Sequence, residues 1–161
     1  MDYQNTRISK LREYLINVIT TLTSKDDFQI NADMLSNDIN NYSLDKLPTE
    51  STIETWVTGD EIHKDVFSFR SRMEYSPDVI NNLSNIGFFE KFENLIKSNN
   101  KNGILPLIEG IQSIECLNCG TMNYAESQTA EFDIQVQVTY FVKNGEEYVS
   151  LWKKLLLNKI L

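Results

Sequence analysis

Two cysteines three positions apart, Cys116 and Cys119, and a single histidine, His63, are the residues of this 161-residue chain best suited to metal or nucleophilic chemistry. The Cys-x-x-Cys spacing is half of a zinc ribbon, but structural zinc takes four ligands, no second pair exists, and His63 is far away in sequence. A redox dithiol usually sits at a helix N-terminus, where the dipole lowers a thiol pKa. Here the pair falls at the end of an expected strand, so both cysteines read as packing and loop residues. His63, between Ile62 and Lys64, reads as an exposed loop histidine. As a general base it would need a nucleophile nearby, and no Gly-x-Ser-x-Gly turn occurs. The acidic residues match no calcium loop, and no glycine-rich segment can cradle phosphates. The expectation is therefore a protein that is not an enzyme, with no catalytic, cofactor or metal residues. A thiol enzyme using Cys116 and Cys119 is the remote alternative.

Residues suited to recognition are easier to find. Arg70 and Arg72 alternate along an expected strand, either as a basic stripe on its outer face or as partners of the chain's own carboxylates. Trp56 lies in a Thr-rich segment ending at Gly59, where an aromatic anchor for a partner is as good a reading as a core residue. Trp152 lies in an apolar tail and reads as core. Met122 and Tyr124 sit in a stretch of small and polar residues taken as a loop, and connecting loops commonly carry recognition. These five, Trp56, Met122, Tyr124, Arg70 and Arg72, are the candidate protein-interface residues.

Composition limits the partners. With 23 acidic against 15 basic residues the net charge is −8, which repels nucleic acid and anionic membrane alike. The hydrophobic fraction of 41% and aromatic fraction of 11% belong to a folding chain. Charges interrupt the apolar positions of the first 22 residues, which therefore resemble neither a signal peptide nor a span, and a cytoplasmic site of synthesis is expected.

The elements that must position these residues follow from periodicity. Ile8, Leu11, Leu15, Val18 and Leu22 recur at helical spacing, predicting an amphipathic helix over 3–24. Residues 24–41 read as a connection with one short helix at most. Strands are predicted over 42–47, 53–57 and 66–73, the last with Phe67, Phe69, Ser71 and Met73 on one side. A helix follows, with Ser76 as N-cap, Pro77 at its first position, and an apolar stripe running from Val79 through Ile80, Leu83, Ile86, Phe89 and Phe92 to Ile96. It stops in the polar run 98–103. Residues 111–117 look extended, 119–129 form a loop, and 131–142 alternate so regularly that one side must face a core. The strands at 111–117 and 131–142 are expected to pair as a long hairpin. A turn at 143–145 precedes an apolar segment, 148–161, read as a short packed helix or a last strand.

This order predicts one α+β domain over 1–161: an N-terminal helix, a sheet-and-helix core over 42–142, and a C-terminal extension over 148–161. The sheet is expected to be mainly antiparallel, of about four strands, covered by two helices. Its open edges would let subunits join.

Several segments together resemble a family of small phage minor capsid or tail-terminator proteins, found in prophages and phage-tail-like particles of low-GC Gram-positive bacteria. They are NYSLDKLPT at 41–49, FSFRSR at 67–72, SPDVINN at 76–82 with FEKF at 89–92, and AEFDIQVQVTY at 130–140. The resemblance covers about residues 40 to 142. It implies a tail-terminator-like fold and a hexameric ring of identical subunits at the head-proximal end of the tail tube. That ring ends tube polymerisation and offers the neck or head its attachment surface. The partners implied are further copies of the chain, the tube protein, and sheath and neck or connector proteins, in a virion or tail-like particle assembled in the bacterial cytoplasm. A neck adaptor or head-completion protein is the alternative. The family offers no catalytic residues to carry over, and the extension at 148–161 departs from its usual pattern.

Overall fold

The computed structural model of the chain describes residues 3–144 and 156–157. The expected C-terminal element over 148–161, with Trp152 in it, therefore lies outside the described residues apart from Leu156 and Leu157.

A single 3-10 turn at Tyr3–Asn5 leads into helix α1, Arg7–Thr23. The Thr6 side chain caps it by accepting from the Ser9 amide, and Ser24 ends it in the left-handed region, where its own amide reaches the Thr20 carbonyl. Strands β1 (Gln29–Ala32), β2 (Asn41–Leu47), β3 (Thr52–Thr55) and β4 (Glu61–Glu74) follow. Helix α2 spans Val79–Lys101, and strands β5 (Ile111–Cys116), β6 (Thr121–Ala125) and β7 (Thr129–Val142) complete the order.

These strands form one seven-stranded sheet in the order β1-β2-β4-β7-β5, with β3 on the flank of β4 and β6 on the flank of β7. The expectation of a mainly antiparallel, tail-terminator-like sheet of about four strands is overturned. The sheet is mixed, because β1 runs parallel to β2, with Ile30 opposite Tyr42. Two left-handed residues, Asp33 and Asn40, bracket the short connection between them and let it turn back on itself. Residues 119–129, expected as a loop, contain β6, which shares an edge of β7 with β5. The pairing of 111–116 with β7 follows the expected antiparallel sense, with Ile114 opposite Val138.

Strands β4 and β7, fourteen residues each, pair antiparallel along their whole length and form the spine of the sheet. On one face, Phe67, Phe69, Ile134, Val136 and Val138 meet Leu11, Leu15 and Ile19 of α1 and Phe89, Phe92 and Ile96 of α2 in one core. Phe69 is sandwiched between Tyr42 and Phe92, with ring centroids 5.3 Å away on both sides and planes 3° and 9° off parallel. The opposite face of β4 was expected to meet water. It is largely buried instead, since Ser68 and Arg72 are covered and Arg70 is partly so.

Helix α2 starts two residues later than expected. Asp78 is the N-cap, accepting from the Ile80 amide, while Ser76 accepts from the Asp78 amide one step earlier. The single apolar stripe predicted for α2 is in fact two. Phe89, Phe92 and Ile96 face the core, whereas Val79, Leu83 and Ile86 stay exposed because Asn82 and Asn85 occupy the sheet-facing turns before Phe89. The side-chain amides of Asn82 and Asn85 donate to the Ser76 and Glu74 carbonyls, while the buried Ser71 Oγ and Asn82 Oδ1 have no partner among the described residues. The first half of α2 is thus held by polar contacts and the second by packing.

Phe69→Ala should cost about 3–5 kcal/mol of stability, the range for emptying a packed aromatic site, read as a lower denaturant midpoint at unchanged slope. A loss under about 1 kcal/mol would mean that Phe69 does not hold the sheet to α2. Burial also raises the Tyr42 hydroxyl to about 12. Because the neutral phenol is favoured in the folded state, this contribution is complete below the unfolded value near 10 and is lost as pH rises towards 12. Tyr42→Phe should flatten the alkaline decline of stability between those values, and an unchanged decline would remove Tyr42 as its cause.

Candidate protein interface

The five candidate residues fall into two environments. Arg70 and Arg72 lie on the face of β4 away from the helices, inside a charge network that joins three strands. Arg70 Nε donates to Asp45 on β2, its Nη1 lies 3.5 Å from Glu131 on β7, and Arg72 Nη2 lies 3.8 Å from the same carboxylate. Arg72 Nε also donates to the Ser36 carbonyl at 3.3 Å, which draws the 33–40 connection over this face. Burial works against the Arg70 charge, but the bond and charge of Asp45, with Glu131 behind them, outweigh it and raise its pKa. Both arginines are thus engaged with the chain's own carboxylates.

Trp56, Met122 and Tyr124 are open to solvent. Trp56 sits at the tip of the β3–β4 hairpin, 44% exposed, with its indole Nε1 donating to Glu54 at 2.7 Å and its ring tilted against Phe141 at 5.7 Å. The tip is fastened to the end of β7, because Asn144 donates its amide to Asp60 and its side chain to the Thr58 carbonyl, both at 2.8 Å. The bond from the Asn144 amide also leads the causes that lower the Asp60 pKa. Met122 and Tyr124, 50% and 58% exposed, belong to strand β6, in which every residue is exposed and which bonds to β7 on one side.

Residues that sequence reasoning weighed for chemistry are dispersed. Cys116 is partly buried near Glu93 and Lys97, and Cys119 is exposed beyond the end of β5. Burial, reinforced by Glu93 and only partly opposed by Lys97, pushes the Cys116 thiol up to about 12. It is therefore a neutral thiol near pH 7, the opposite of an activated nucleophile. His63 is not a loop residue. It lies on β4, half-buried, with Nε2 2.6 Å from Glu61 and its ring 5.7 Å from Tyr140. Among the described residues, no group of three or more His, Cys, Asp or Glu side chains is placed to hold a metal ion, and no helix is long and apolar enough to cross a membrane.

Sequence reasoning missed Asp65. Its side chain is only 3% exposed on the helix side of β4, where Arg7 Nε approaches to 2.6 Å and Lys46 Nζ to 3.5 Å. The Arg7 guanidinium also lies over the Tyr140 ring at 4.8 Å, so this carboxylate pins the first turn of α1 to the sheet. The one available signal was an acid on the core-facing parity of β4, two residues before Phe67. A cleft of about 620 Å³ opens beside it between the start of α1, the 107–110 segment and the end of β7, lined by Arg7, Lys10 and Lys143 among others.

Neither a protein-family model nor a curated protein matches this chain.

A thiol reagent applied near pH 8 should modify Cys119 quickly and Cys116 slowly, with both equally reactive after unfolding. Equal rates in the folded protein would mean that Cys116 is neither buried nor neutral.

Proposed function

We propose that the chain is a structural subunit of a ring at the head-proximal end of a phage-type tail tube, where it ends tube growth and presents the next surface to the neck or head. The observation that carries this reading is the exposed strand β6, a neutral edge bearing Met122 and Tyr124 on an open sheet. An unpaired edge is a template for adding a strand from another chain. The resemblance of residues 40–142 to phage tail-terminator proteins supplies the kind of assembly. The raised pKa of Cys116 and the separation of His63 from the cysteines favour a binding role over catalysis.

In this reading a terminator binds a tube end better than another tube subunit does, through exposed aromatics held on short supports. Trp56 and Tyr124 meet that description.

In tail particles isolated from cells expressing the chain, gold-labelled antibody should mark one end of the tube only. Labelling along the whole tube, or no association with tails, would sink the proposal. Trp56→Ala or Tyr124→Ala should leave the circular dichroism melt nearly unchanged while costing about 1–3 kcal/mol of association per subunit, the range for a truncated aromatic anchor. Tails of irregular length, or tails lacking their neck, would be the visible result.

A further inference from the structure

We draw no further inference here: the strongest candidate, the exposed apolar side of α2 formed by Val79, Leu83 and Ile86, is an unpartnered face, and nothing in the structure shows what covers it.

Discussion

The antiparallel pairing of β4 with β7 is the constraint on which the rest of the molecule hangs. Among the described residues, β2 and β3 join the sheet through β4, β5 and β6 through β7, and β1 through β2. Its register puts Phe67 opposite Val136 and Phe69 opposite Ile134 on the face that both helices cover. A slip of one residue would turn those side chains outward and drive Glu131 and Asp133 under the helices. Burying unpaired carboxylates costs far more than the pairing itself contributes. The aromatic stack of Tyr42, Phe69 and Phe92 then fixes where β2 and α2 rest on this spine.

On the opposite face the same register is enforced by charge. Arg70 stands between Asp45 on β2 and Glu131 on β7, and Ser68 donates to Asp133. Partly buried ion pairs of this kind add little net stability against an apolar replacement, since desolvation offsets most of the attraction. Their effect is directional: each guanidinium finds its carboxylates in one alignment of three strands. Asp65 acts similarly on the helix face, where Arg7 and Lys46 converge on it and tie the entrance of α1 to the middle of the sheet. The sheet is therefore specified by packing on one side and by charge on the other.

What could be read in the sequence follows from this asymmetry. β7 was legible almost residue by residue, because its apolar positions all face one covered side from Ala130 to Tyr140. α1 was legible for the same reason. β4 was legible as a strand but not as a central one, since its second face is buried by ion pairs and by the 33–40 connection, which leave no hydrophobic signal. β1 escaped notice because four residues with one buried side chain, Ile30, carry no periodicity, and β6 because none of its residues is buried. The stripe on α2 misled, since Val79, Leu83 and Ile86 continue a core pattern that the fold does not use for its own core. Of the candidate interface, the exposure of Trp56 was an even choice from its surroundings. The engagement of Arg70 and Arg72 needed the positions of Asp45 and Glu131, which only the sheet brings together.

The two flanks of the sheet differ in a way that bears on assembly. At the β1 flank the strand is short, and Arg12 of α1 donates to the Ile30 carbonyl at 2.6 Å, so a backbone acceptor is already taken. Such protection is how a monomer blunts an edge. β6 has none of it: Thr121, Met122, Asn123, Tyr124 and Ala125 include no charge and no proline. In a chain of net charge −8, two copies repel each other over most approaches, and the repulsion is least where a neutral strand leads. Met122 and Tyr124 stand half exposed on that same strand, so a partner arriving there finds backbone groups and apolar area together. An acidic surface that discourages random contact and one neutral, apolar flank that permits it would restrict the chain to a single direction of association. The rotation between successive subunits then sets whether such an association closes into a ring or runs on as a filament.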